Sequence, residues 1–141
     1  MSALDPFRVV FFDIGNTLGT VTEHGNALQL VPFDSTQSLL LGFGTTLGLK
    51  LGIISNSGPF STDDVRQMLQ RAGMQNFFEA ALVITSADAG VEKPDVAIYD
   101  FASKRAGIAA DQCLYVGEDR DEVEGARRAG MGGLLKPVPP Q

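Results

Sequence analysis

Five short apolar runs, each closed by polar residues or glycine and separated by helix-patterned segments, leave this chain few folds to choose from. The first is "RVVFFD" (Arg8 to Asp13), an unbroken apolar stretch of the kind buried on both faces of a parallel sheet. "LKLGIIS" (Leu49 to Ser55), "AALVIT" (Ala80 to Thr85), "QCLYVG" (Gln112 to Gly117) and "GGLL" (Gly132 to Leu135) repeat the signature. Between them lie segments that read as helices. "STDDVRQMLQRAG" sets a Ser/Thr cap and two acids before Val65, Met68 and Leu69, then stops at Gly73. "PDVAIYDFASKRAG" opens on a proline and an acid, aligns Val96, Tyr99 and Phe101 and ends in basic residues and Gly107. "DEVEGARRAG" follows the same grammar, with Arg127 and Arg128 favouring the helix C-terminus. Strands alternating with helices of this length predict α/β architecture: a three-layer, doubly wound parallel sheet.

Two segments depart from the alternation. "TLGTVTEHGNALQLV" reads as a β-hairpin, over about residues 17–32, that turns at His-Gly-Asn and places His24 in an exposed turn. "DSTQSLLLGFGTTLG" stands where a helix is needed before the second strand. It carries Gly42, Gly44 and Gly48, each costing about 1 kcal/mol in a helix interior relative to alanine. Its glycines do not make a dinucleotide loop, because the third required glycine is missing and the segment precedes a strand.

A chain of 141 residues suits a single domain over 1–141, with Pro-Val-Pro-Pro beginning an extended tail at 137–141. The net charge of −6 argues against a general nucleic-acid or anionic-membrane surface. A single cysteine, Cys113, rules out an internal disulfide and reads as core at the start of a buried strand. With no apolar window of membrane-spanning length and no secretory leader pattern, the expectation is a cytoplasmic protein without membrane partners.

Open parallel sheets bind ligands beyond the carboxyl ends of their strands. Those ends carry Asp13, Ser55 with Asn56, and Glu118 with Asp119, while Lys93 lies just before a helix. A carboxylate nucleophile, small hydroxyl and amide donors, one ammonium and further acids are what phosphoryl transfer requires. Acids bind Mg²⁺, the metal and lysine neutralise phosphate charge, and a carboxylate attacks phosphorus in line.

In order along the chain, these pieces resemble the four motifs of the haloacid dehalogenase superfamily. "FFDIGNTLGT" is similar to its first motif, D-x-D-x-T. "LGIISNSG" resembles the second, "VEKPDVAIYDFASKRAGI" the third, and "CLYVGEDRDEVEGARRAGM" the fourth. The resemblance spans residues 8–136. It implies a Mg²⁺-dependent phosphohydrolase in which Asp13 forms an aspartyl-phosphate, Ser55, Asn56 and Lys93 bind phosphate, and Lys93 also holds the nucleophile. It places the metal among Asp13, the Gly15 carbonyl, Glu118, Asp119 and Glu122. Glu118 with Glu122 is the preferred acid pair; Asp119 or Asp121 could replace either.

The resemblance further makes the hairpin a flap over the site. About 42 residues separate Asp13 from Ser55, and about 38 separate Ser55 from Lys93, which leaves no room for a cap domain. The capless members it then resembles accept large phosphorylated substrates or close their sites by assembling. A phosphorylated small molecule or macromolecule and a homo-oligomer are thus the implied partners. Two departures matter. Gly15 stands where the second acid, the general acid/base, is usual, which implies slow turnover or an unusual leaving group. Glu118 stands where aspartate is usual, and the fourth motif is about one residue short. The rival reading is a catalytically silent relative that binds a phosphorylated ligand or a protein partner. A dehalogenase or phosphonate-cleaving enzyme ranks third, since those members draw essential groups from caps.

Overall fold

The computed structural model describes residues 6–139, so the end of the proline-rich tail at 140–141 lies outside the described residues. Along the chain run β1 (Val9–Phe12), β2 (Gly19–His24), β3 (Ala27–Pro32), α1 (Thr36–Leu41) and β4 (Lys50–Ser55). These are followed by α2 (Thr62–Arg71), β5 (Val83–Thr85), a single turn α3 (Ser86–Ala89) and α4 (Val96–Ala106). The chain closes with β6 (Cys113–Gly117), α5 (Arg120–Arg128) and β7 (Gly132–Leu135). The five strands of the main sheet are parallel in the order β5-β4-β1-β6-β7, and β2 and β3 form a separate antiparallel pair.

Strand geometry sends successive side chains to opposite faces, and the two halves of the core follow that rule. Val10 and Phe12 of β1, with Leu114 and Val116 of β6, pack on Leu40 of α1 and on Val65, Met68 and Leu69 of α2. Val9, Phe11, Cys113 and Tyr115 face Ile98, Tyr99 and Ala102 of α4 and Val123 and Ala126 of α5. The expected three layers are therefore present. β1 sits at the centre, with all four of its residues fully buried, so its C-terminal tip is the best-anchored point in the sheet.

Local chemistry explains where the elements stop. Ser61 and Asp64 form a reciprocal capping box on α2. Asp95 caps α4, which ends at Gly107 in the left-handed conformation. The hairpin turns at Gly25 and Asn26, with Gly25 at a positive φ of 64° that suits its first turn position.

Three expectations are corrected. Ala80–Leu82 form a 3-10 turn, leaving a strand only from Val83 to Thr85. The glycine-rich segment is a short α-helix to Leu41 that widens into a π-turn over Gly42–Thr46, where glycines lower the cost of leaving helical geometry. The buried face of α4 is Ile98, Tyr99, Ala102 and Ser103, whereas Val96 is exposed and Phe101 half-buried. The helix lies about one position rotated from the expected stripe, with Tyr99 common to both, because Ile98, Tyr99 and Ala102 pack on the sheet face of Val9, Phe11, Cys113 and Tyr115.

Inside α5, Gly125 permits a close approach: a Cβ there would lie 2.6 Å from the Pro94 carbonyl oxygen. The segment carrying Lys93 is thereby seated directly on α5.

Candidate active site

Asp13 leaves the tip of β1 into a tight loop. Thr17 and Leu18 donate their amides to the Ile14 carbonyl, and Asn16 occupies the left-handed region at φ 62°, which asparagine tolerates. The Thr17 hydroxyl, fully buried, donates to Asp13 Oδ2 at 3.2 Å and accepts from the Glu118 amide at 3.1 Å. One small side chain thus fixes a carboxylate oxygen of Asp13 and ties its loop to the end of β6.

Lys93 comes in from 80 residues away, and its Nζ lies 2.9 Å from Asp13 Oδ1 and 2.8 Å from Glu122 Oε1. Its side chain is 1% exposed, against 14% and 20% for the two acids, so the ammonium is buried while its partners reach solvent. The Tyr115 hydroxyl lies 2.9 Å from Lys93 Nζ and 3.1 Å from Glu122 Oε1. Burial pushes the Tyr115 phenol well above its usual range, with the Asp13 and Glu122 charges adding to the shift. The Tyr99 hydroxyl, likewise raised by burial, donates to the Glu122 carbonyl.

Asn56 grips the backbone on either side of Lys93. Its Oδ1 accepts from the Lys93 amide at 2.8 Å, and its Nδ2 donates to the Lys93 carbonyl at 3.1 Å. Ser55 ends β4 beside it, half-buried and lining the same pocket as Asp13 and Lys93. Asp119 caps α5, accepting from the amides of Asp121 and Glu122, while Asp121 is exposed. Glu118 is half-buried at the end of β6. Desolvation raises its proton affinity, and Asp13, Asp119 and Glu122 raise it further.

The structure brings Asp13, Gly15, Ser55, Asn56, Lys93 and Glu122 to one pocket, whereas Glu118 and Asp119 do not line it; Thr17 and Tyr115, to which the sequence assigns no role, hold Asp13 and Lys93 from behind. Tyr115 had a legible signal, being the one polar-tipped side chain in the otherwise apolar "CLYV" run. Replacing it with phenylalanine keeps the ring and removes the hydroxyl shared by Lys93 and Glu122. Tyr115→Phe should lower stability by about 1–2 kcal/mol in urea unfolding. Hydroxyl loss without effect would show that the phenol contributes nothing to seating Lys93.

A divalent cation suits this donor set. Among the described residues no three acidic, histidine or cysteine side chains gather closely enough to form a cluster. Mg²⁺, however, is commonly held by one or two carboxylates and keeps several waters. Asp13 at the strand tip, the Gly15 carbonyl beside it and Glu118 after β6 are oxygen donors of the hard type such an ion takes.

A carboxylate at the central strand tip, a buried lysine and a helix-borne acid thus meet beyond the carboxyl ends of the strands, where open parallel sheets bind their ligands. The model of the haloacid dehalogenase-like hydrolase family matches residues 5–135, and the chain belongs to that family. It is 34% identical over 120 residues to a glyceraldehyde 3-phosphate phosphatase of Methanothermobacter thermautotrophicus, covering 84% of this chain and 50% of that protein. The structure of an uncharacterized Listeria monocytogenes protein is similar at a TM-score of 0.75 and 26% identity, covering 89% of this chain and 75% of that one. A phosphatase of the same family from Thermococcus onnurineus matches at a TM-score of 0.60 and 30% identity, covering 74% and 45%. The chain spans about half the length of the curated relatives it matches first.

Proposed function

We propose that the chain is a capless, Mg²⁺-dependent phosphohydrolase in which Asp13 is the nucleophile. The observation that carries this reading is the buried Lys93 held 2.9 Å from Asp13 across 80 residues of sequence. Burying an ammonium against two acids is seldom the best route to stability, and this one is aimed at the carboxylate on the central strand tip. Asp13 attacks phosphorus as the bond to the leaving oxygen breaks. The leaving group departs with the electron pair and takes a proton from solvent. Water then attacks the aspartyl-phosphate, returning the carboxylate and releasing inorganic phosphate and a proton.

In this reading Lys93 orients Asp13 and neutralises phosphoryl charge, and Ser55 donates to a phosphoryl oxygen. Asn56 contributes through its hold on the Lys93 backbone, in addition to its expected place beside the phosphate. Asp13, Gly15 through its carbonyl, and Glu118 would hold Mg²⁺, with Glu122 and Asp119 nearby. The ion supplies charge neutralisation at the phosphoryl group. The hairpin of β2 and β3 acts as the flap of a single domain.

Gly15 limits the rate. A side chain there would find open space, since the nearest heavy atom to its Cβ would be Val21 Cγ2 at 4.0 Å. Gly15→Asp should therefore fold normally and raise turnover of an alkyl phosphate by about 10²-fold, as a restored general acid would. Wild-type hydrolysis of an aryl phosphate that needs Mg²⁺, together with a rise in melting temperature on adding Mg²⁺, is the expected result. A second reading, a silent member that binds a phosphorylated ligand, draws support from Gly15 and from the engagement of Lys93 by two carboxylates. Inertness of both wild type and Gly15→Asp towards phosphate esters, with a rise in melting temperature on adding a phosphate ester, would favour it.

A further inference from the structure

The pocket that contains Asp13 and Lys93 has a volume of about 370 Å³, towards the small end for ligand sites. Its two sides differ. Asp13, Ser55, Asn56, Ser57, Lys93 and Glu122 supply one, polar side, whereas Val21 and Leu28 of the hairpin, Phe60, and Val65 and Met68 of α2 supply an apolar wall in which Glu23 is the one charged member. Hairpin register explains the wall. Val21, Glu23 and Leu28 share one face, because Glu23 pairs with Leu28 and side chains alternate along β2. A sugar or glycerol body would set its hydroxyls against this wall with few partners, at a desolvation cost. A flat apolar body would not.

The same pocket is short of a proton donor for the leaving oxygen. Position 15 has no side chain, Lys93 is paired with both Asp13 and Glu122, Glu118 does not line the pocket and serves the metal in the reading above, and the remaining titratable lining group is Glu23 on the exposed hairpin. A leaving group must therefore depart as an anion. A phenol ionises near pH 10, like tyrosine, while an aliphatic alcohol is nearly as weak an acid as water.

From these two observations, which rest on the phosphohydrolase reading above, we propose that the substrate is the phosphate monoester of a phenolic hydroxyl. Its ring packs on Val21, Leu28, Phe60 and Met68. Asp13 attacks the phosphorus, the phosphorus–oxygen bond to the ring breaks, and the phenolate leaves with the electron pair and is protonated by water.

Four substrates separate the two features: phenyl phosphate, cyclohexyl phosphate, acetyl phosphate and glycerol 1-phosphate. They offer, in turn, ring and acidity, bulk alone, acidity alone, and neither. With Mg²⁺ present, kcat/KM for phenyl phosphate should exceed that for cyclohexyl phosphate by about 10²-fold or more. Leu28→Asn on the half-exposed hairpin should reduce the phenyl-to-acetyl phosphate ratio of kcat/KM about fivefold, and isosteric Val21→Thr should reduce it in the same direction. Independently of turnover, phenylphosphonate should bind about tenfold tighter than methylphosphonate by calorimetry.

Asp13-dependent turnover of acetyl phosphate with no advantage for the ring, or equal affinity for the two phosphonates, would overturn the proposal and spare the phosphohydrolase reading. Ready hydrolysis of cyclohexyl phosphate that is lost in Glu23→Gln would also overturn it, by revealing a proton donor on the hairpin. If none of the four substrates is hydrolysed in an Asp13-dependent way, the phosphohydrolase reading itself falls.

Discussion

Asp13→Asn should abolish phosphate-ester hydrolysis, by about 10³-fold or more, while the protein keeps its fold. The amide has nearly the shape of the carboxylate but is a poor nucleophile towards phosphorus, and loss of an attacking group typically costs at least that factor. The surroundings tolerate the change. The Asn oxygen can keep accepting from Lys93 Nζ while its NH2 donates to the Thr17 hydroxyl oxygen, and Lys93 keeps Glu122 at 2.8 Å and the Tyr115 hydroxyl at 2.9 Å. Urea unfolding of the variant should remain within about 1 kcal/mol of wild type, as a substitution that leaves the buried lysine paired would. Undiminished hydrolysis in Asp13→Asn would remove Asp13 from the mechanism altogether.

The second large effect concerns stability. Lys93 is the buried member of its cluster, and two carboxylates balance it from the solvent side. Either acid alone leaves a partner in place. The double variant Asp13→Asn, Glu122→Gln leaves the ammonium buried with neutral neighbours. Stranding a buried charge in this way costs about 3–5 kcal/mol. In a domain of this size the loss corresponds to roughly 10–20 °C in Tm. The two single variants should fall well short of half that loss each, because each retains a counter-charge. Adding Lys93→Met to the double variant should recover most of the deficit. A double variant that melts with wild type would show that Lys93 is not charged in the folded protein.

Much of this architecture could be read from the chain because parallel strands buried on both faces announce themselves as unbroken apolar runs. The tips of β1, β4 and β6 follow directly, and with them the placement of Asp13, Ser55 and Glu118. Element ends were less legible. The 3-10 turn at Ala80–Leu82 has the same apolar composition as a strand, and only packing on β4 and α4 distinguishes them. Rotation of α4 was hidden for a similar reason: Val96 and Ile98 are equally apolar, and which of them is buried depends on how the helix seats on the sheet.

The site shows the same division between what is local and what is not. Residue types at strand ends are local, so the inventory could be listed. Which of them engage one another depends on distances between elements far apart in sequence. Asn56 has no local reason to hold the backbone of Lys93, nor Thr17 to bridge Asp13 and the end of β6. Within the acidic run, Asp119 faces its own helix amides while Glu122, one turn on, reaches the lysine. That assignment follows from helix phase, since the cap and the first turn face different ways.

The pairing of Lys93 with two acids bears on how a ligand arrives. Among the described residues lining the pocket, Lys93 is the one cation, set beside Asp13, Glu23 and Glu122, in a chain of net charge −6. An approaching phosphate dianion therefore meets repulsion along its diffusional path until it comes within reach of Lys93. Added salt screens that repulsion within about 10 Å at 0.1 M. Capture of a dianion should consequently quicken as ionic strength rises, the reverse of what electrostatic guidance produces. Encounter would set a low ceiling for this site in dilute buffer, and salt at physiological strength would lift it.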